Sequence, residues 1–315
     1  MCSRRVANLG KDYVPPSPDE VVQAAQIACL IEVSASKPGN VSRLYDFHDM
    51  RIEDFLLSAT AIGPAIRRAG QVSVGETILQ AIQDTKRLVR PNTNLGIVLL
   101  LAPVARAAMT PGSGTLRERL GGVLAGLTVE DARLTYRAIR LASPGGLGEV
   151  EEGDVSAEPD LTLRQAMSLA ADRDSVAREY VTDYAITFQR TVPDLRDCLR
   201  TCSSITDATV QTALTLLTHV PDTLISRKLG WDTACDVSRR AEEVLHEGGV
   251  LTEQGRAALA QFDASLRDVA NALNPGTTAD LVTTALFVLL LQEGHSVVLE
   301  TPQVGLSANS PPLVG

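Results

Sequence analysis

The sequence predicts an all-α protein, a compact multi-helix bundle with apolar helices at its centre. Aromatic residues make up only 3% of the chain, so the core must be built from Leu, Val, Ile and Ala. That composition suits helix packing, whereas sandwiches and barrels lean on aromatic and β-branched residues. Capping boxes at Ser17/Glu20, Ser73/Glu76 and Thr162/Gln165 each precede apolar residues at helical spacing. No stretch alternates apolar and polar residues as a half-buried strand would.

Taken in order, the first helix follows Ser17-Pro18-Asp19-Glu20, with proline at its first helical position. It carries Val21, Ala25, Ala28 and Glu32 on one face, so Glu32 points where apolar residues point. A carboxylate there is either a member of a structural ion pair or a functional acid. The helix stops at Lys37-Pro38-Gly39, and a loop runs to His48-Asp49-Met50. A second helix over about 50–69 is expected to bend near Gly63-Pro64. The box at Ser73 opens a helix to about Val89, broken by Arg90-Pro91. Asn92-Thr93-Asn94-Leu95-Gly96 then feeds a nearly all-apolar helix from Ile97 to Met109, which belongs at the centre of a bundle. The polar turn before it either caps that helix or offers free amides to an anion.

Further helices are expected to about Leu127, from Thr128 to about Ala142, and from Thr162, with Asp172-Arg173-Asp174 at or near a junction and the chain helical to about Arg190. They resume at 194–202, 206–219, 222–229, 231–247 and from about Thr252 to Leu273. Asn274-Pro275-Gly276-Thr277-Thr278 opens a final apolar helix to about Gln292. Between Ser143 and Asp160 lie four glycines and six acids with no basic residue, which reads as a solvated loop or, alternatively, a lid or metal-binding flap. The simplest organisation is one domain over 17–294 and an extended or flexible tail over 295–315.

The net charge of −9 argues against a nucleic-acid or anionic-membrane surface. No apolar run is long enough to span a bilayer and no signal core follows the N-terminus, so a soluble, cytoplasmic protein is expected. The five scattered cysteines (Cys2, Cys29, Cys198, Cys202 and Cys235) read as free thiols, and nothing in the sequence sets aside assembly into a homo-oligomer. The two polar turns, Asn92 to Gly96 and Asn274 to Thr278, both launch strongly apolar helices. If they met, their helix N-termini would hold a polyphosphate without a basic surface. Asp49, Asp222 and Asp280 are then candidate Mg²⁺ ligands, and Lys37, Arg43 and Lys228 candidate counter-charges.

Glu32, Lys37-Pro38-Gly39 with Val41, and His48-Asp49-Met50 resemble the opening signature of the triphosphoribosyl-dephospho-CoA synthase family. Asn92 to Gly96 and Asn274 to Leu281 resemble two later motifs in the same order, so the resemblance spans most of the chain. It implies transfer of the triphosphoribosyl group of ATP to the 2′-hydroxyl of 3′-dephospho-CoA with release of adenine. It also implies an N-glycosidic bond broken through a cation-like sugar, which calls for a base, an acid and neutralised phosphates. Under that reading Glu32, His48 and Asp49 are candidates near the ribose. Lys37, Gly39, Arg43, Asn92, Thr93, Asn94, Gly96, Lys228, Asn274, Gly276 and Thr277 are candidates for substrate and phosphate. The chain departs from the family pattern at Asn94, where a histidine is usual, and the family's Gly-Ala-Arg-Gly-Glu-Ala-like stretch has no clear counterpart. A divergent member assembling another cofactor, such as a pterin-type one-carbon carrier, therefore stays open, as do a Mg²⁺-dependent ribosyl hydrolase and a non-catalytic nucleotide-binding protein.

Overall fold

The computed structural model of the chain describes residues 14–143, 158–267 and 270–299. Most of the acidic, glycine-rich segment and residues 300–315 of the expected tail lie outside the described residues. Among the described residues all regular elements are helices, with no strand. Three helices make the centre: α1 (Pro18–Ser34), α5 (Leu95–Met109) and α15 (Gly276–Glu293) pack on one another. α5 and α15 are buried almost all round, as their unbroken apolar sequence requires.

One side of this centre is covered by α2 (Ile52–Ala61), α3 (Gly63–Arg68), α4 (Val74–Leu88), α6 (Leu116–Ala125) and α7 (Val129–Ala142). After α7 come α8 (Leu163–Ser168) and α9 (Ser175–Val181), then a π-helical turn at Thr187–Thr191 that runs into α10 (Val192–Thr201). The other side is built from α10, α11 (Ile205–His219), α12 (Thr223–Leu229), α13 (Trp231–His246) and α14 (Glu253–Leu266). A short α16 (Ser296–Leu299) ends the described chain.

The expected boundaries shift where local chemistry intervenes. The predicted helix over 50–69 is two helices parted at Ile62, just before the glycine and proline expected to bend it. α2 begins at Ile52 because Asp46 accepts from the Ile52 amide and Asp54 from that of Arg51, both at 2.9 Å. Ser73 caps α4 through the Glu76 amide (3.1 Å), but the Glu76 carboxylate turns to Arg68, leaving the box half made. The helix expected to reach Arg190 ends at Val181 instead. Asp183 and Tyr184 adopt left-handed backbone, and Glu179 captures the amides of Ile186 and Thr187 at 3.0 and 2.7 Å. α14 ends at Leu266, short of Leu273.

Pro103 lies in the middle of α5, where it has no amide to give the carbonyl of Leu99 four residues back. The fully buried Tyr180 hydroxyl donates to that carbonyl at 2.6 Å, and the Tyr184 hydroxyl donates to the next, that of Leu100, at 2.9 Å. Burial pushes both phenols above their ordinary range, so both stay donors. We expect Tyr180→Phe to orphan the Leu99 carbonyl and cost about 1–3 kcal/mol in chemical denaturation. Adding Pro103→Ala restores a donor from within the helix and should recover most of that loss. A double variant no more stable than Tyr180→Phe would contradict this account.

Candidate active site

α1 has no basic residue in its own last turn, and Lys37 supplies the missing charge from beyond the helix end. Its ammonium is fully buried. It donates to the carbonyls of Glu32 (2.6 Å) and Ala35 (3.3 Å) and pairs with the Glu32 carboxylate at 2.7 Å. Gly39 turns the chain with φ +73°, and its amide donates to Asp263 at 2.8 Å. A side chain there would press on Pro275 and Leu266, each about 3 Å away. Asp263 is clamped by Arg267, which also reaches the Asn40 carbonyl and stacks over Tyr45.

This scaffold delivers Glu32, Asn40, Val41, Phe47, Asp49 and Met50 to the wall of a cavity of about 580 Å³. Lys37, Gly39 and Arg43 are not in that wall; Arg43 lies on the surface near Ser34. His48 is outside it as well, two-thirds exposed, with Nδ1 3.2 Å from the Asn271 amide and 3.8 Å from Asp49. Of the three residues expected near the ribose, the structure brings Glu32 and Asp49 to one cavity.

The two polar turns meet in it. Asn92, Thr93, Asn94 and Gly96 line the cavity together with Asn274, Gly276 and Thr277. The first turn is braced from behind: Thr93 shares a hydrogen bond with Ser58 (2.5 Å), Asn94 donates to Thr85 (3.0 Å), and Asn92 accepts from the Leu95 amide (3.2 Å). The second is held by Asp222, whose two oxygens accept from the amides of Leu224, Ile225 and Thr278 and from the Thr278 hydroxyl, at 2.7–3.1 Å. Among the described residues no acceptor meets the amides of Gly96, Ile97 or Thr277, so both helix starts present free donors at the cavity.

α5 and α15 come together at Gly96. A Cβ there would overlap the carboxylate of Asp280, which faces the cavity with no hydrogen-bond or ion-pair partner among the described residues. Desolvation in the wall, then the charges of Glu32, Asp222 and Asp174, push its pKa well above the ordinary aspartate range, against a smaller pull from Arg227. Asp222 is raised too, because its burial outweighs four hydrogen bonds. Among the described residues no three His, Cys, Asp or Glu side chains converge as a metal cage. Of the expected Mg²⁺ ligands, Asp49 and Asp280 reach the cavity and Asp222 does not.

The cavity's cations are Arg173, Arg227 and Lys228. Arg227 is held by Asp174, which also caps α9; Lys228 donates to the Asn271 carbonyl at 3.3 Å. Only Lys228 was expected in this role. The available signal for Arg173 and Arg227 was position, one at a helix junction and the other a turn beyond Asp222, and neither says what a side chain faces. The apolar wall was also not foreseen: Tyr136, Ile139, Leu163 and Met167, from α7 and α8.

The family model of ATP:dephospho-CoA triphosphoribosyl transferase matches residues 18–298. A Klebsiella pneumoniae protein named 2-(5''-triphosphoribosyl)-3'-dephosphocoenzyme-A synthase is 26% identical over 300 residues, covering 89% of this chain and 93% of its own. A Pseudomonas savastanoi pv. phaseolicola protein named as a probable synthase of the same kind is 26% identical over 171 residues, 53% of this chain and 56% of its own. The crystal structure of a candidate triphosphoribosyl-dephospho-CoA synthase from Archaeoglobus fulgidus superposes with a TM-score of 0.58 at 25% identity, over 75% of this chain and 98% of that one.

Two outcomes are expected from this geometry. Lys37→Met leaves the buried Glu32 charge unpaired and should cost about 3–5 kcal/mol, while adding Glu32→Gln should recover part of it in denaturation experiments. Gly96→Ala should lower the melting temperature by driving Asp280 from its place, and Asp280→Ala on top of it should restore most of the loss. An additive double variant would mean that the two positions do not compete for one space.

Proposed function

The chain belongs to the ATP:dephospho-CoA triphosphoribosyl transferase family, and from that membership we propose that its cleft moves the triphosphoribosyl group of ATP to the 2′-hydroxyl of 3′-dephospho-CoA and releases adenine. The observation that supports this most is the meeting of the two polar turns with Glu32 and Asp280 in one cavity. It gives phosphates and a reacting sugar adjoining places.

The triphosphate lies against the free amides of Gly96, Ile97 and Thr277, with Arg227 and Lys228 beside it. Lys37 and Arg43, outside the cavity wall, take no part in binding it. Asp280 fits a Mg²⁺ ligand: among the described residues its carboxylate has no partner, and a bound cation offsets both the desolvation and the neighbouring carboxylates that raise its pKa. Mg²⁺ accepts one or two protein carboxylates and completes its shell from phosphate and water, so a protein cage is not needed. When bound, it neutralises charge on the triphosphate.

Glu32, fixed by Lys37, accepts the proton of the attacking 2′-hydroxyl as the new C–O bond forms at C1′ of the donor ribose. The bond from C1′ to the purine nitrogen breaks with its electron pair on adenine. Asp49 stands in the cavity wall at the lip, and the departing base takes its proton there as it meets solvent. Asn40, Asn92 and Thr93 line the space between and orient the sugar hydroxyls.

The test is incubation with ATP, Mg²⁺ and 3′-dephospho-CoA, with mass spectrometry of the products. Adenine and the triphosphoribosyl adduct should appear in equal amounts, and both should require the acceptor and the metal. Glu32→Gln in folded protein should lower single-turnover rates by about 10²–10⁴ while ATP affinity changes little. Adenine release at full rate without acceptor would replace this reading with a hydrolase.

A further inference from the structure

We propose that His48 is a positioning residue, whose contact with Asn271 clasps the rim of the cleft shut around bound ATP. The proposal rests on the transferase reading above and deepens it, because it says what retains the donor and shields its reacting sugar from water.

Three parts of the site meet at Asn271. Its side-chain amide donates to His48 Nδ1 at 3.2 Å, and its carbonyl accepts from the Lys228 ammonium at 3.3 Å and from the Asn274 amide at 3.4 Å. Asn271 adopts left-handed backbone, φ +50°, which asparagine tolerates better than most residues. It is not part of the cavity wall, but the residues it joins lead to both sides of that wall. Phe47, Asp49 and Met50 line one side, Lys228 and Asn274 the other. Asp49 and Lys228 are both exposed, so the contact runs along the rim, outside the space a substrate would fill.

The loop has few other holds. Its first half is pinned to α14 and the residue after it, by the Gly39 amide on Asp263 and by the Asn40 carbonyl and Tyr45 ring on Arg267. From Phe47 to Met50 the backbone bond is internal, from the Phe47 amide to the Met50 carbonyl at 2.8 Å. Among the described residues, the His48–Asn271 contact is the one hydrogen bond that ties this stretch to another part of the chain. One exposed hydrogen bond breaks easily, so a substrate can enter. Remade, it seats Phe47, Asp49 and Met50 against what has entered. Closure matters to this reaction in particular. A sugar that turns cationic as adenine leaves can be attacked at C1′ by water in place of the 2′-hydroxyl, and a closed rim suppresses that competition. His48 serves here as a hydrogen-bond acceptor. An asparagine oxygen, which stands where Nδ1 stands, can fill that role without any proton transfer.

His48 is two-thirds exposed and glycine is at ease in left-handed backbone, so His48→Ala and Asn271→Gly should both fold. In ligand-free protein, hydrogen exchange of the Phe47 amide should rise about fivefold in each variant and no further in the double variant, because the two partners share one contact. Dissociation of a fluorescent ATP analogue, followed by stopped flow, should accelerate in the same pattern, and adenine should form in excess of adduct. His48→Asn should keep exchange, dissociation and the adenine-to-adduct ratio within about twofold of the unaltered protein. A His48→Asn protein that behaves like His48→Ala, additive effects in the double variant, or unchanged ATP dissociation in folded variants would each overturn the proposal. An unaltered protein that shows the clasp in exchange and in ATP release but makes no adduct would keep the clasp and remove the reaction.

Discussion

The site depends on a missing side chain. Because residue 96 has no Cβ, the first turn of α15 approaches the start of α5 closely enough for Asp280 to occupy the vacant space. Both helices are apolar nearly all round, so their burial against each other and α1 drives them into the middle of the bundle. Helices driven inward by their bodies bring their polar ends along. That is how a chain of net charge −9 acquires an anion-ready cleft without a basic surface: the donors are backbone amides, and the cations of the wall are local.

The carboxylates nearest this junction have different partners, and the partners divide their roles. Glu32 has a buried ammonium on one oxygen. Asp222 is saturated by amides and a hydroxyl and ties α12 to α15. Asp174 holds α9 and Arg227. Asp280 alone of these four has no partner among the described residues. A buried charge without a partner is costly, which is why the proposed Mg²⁺ is assigned to this residue.

Much of the fold was legible because helix signals are local. The caps at Ser17 and Thr162 use the same residues that advertise them, and the apolar runs at 97–109 and 276–292 sit where an all-round apolar helix must. The site was legible only in part. The two polar turns could be named from their residues, but their meeting is tertiary. Lys37 looked like a phosphate ligand by charge and motif, yet its reach is the length of one helix turn, and the nearest unmet acceptors were the end of α1 and Glu32. Asp222 misled in the same way: one oxygen caps α12 through the Leu224 and Ile225 amides, and the other is filled by the amide and hydroxyl of Thr278, a distant partner that no spacing rule encodes. The α7–α8 wall gave no signal at all, since an apolar residue facing a cavity and one facing the core read alike in sequence.

The replacement of the family's usual histidine by Asn94 bears on whether the chemistry is the same. Asn94 is buried, stands just before α5 without capping it through its side chain, and commits its side-chain amide to Thr85 on α4. In this chain, therefore, the position braces the turn from behind and positions the free amides of Gly96 and Ile97. The groups assigned to the reaction are attached elsewhere: Glu32 on α1, Asp280 on α15, Asp49 on the preceding loop. An asparagine that keeps the turn in place preserves the anion site through its backbone, because an amide donor does not depend on which side chain its residue carries. On the proposed reading, the substitution changes the support of the phosphate site and leaves its donors in position. That is the sequence latitude expected where binding is done by main chain.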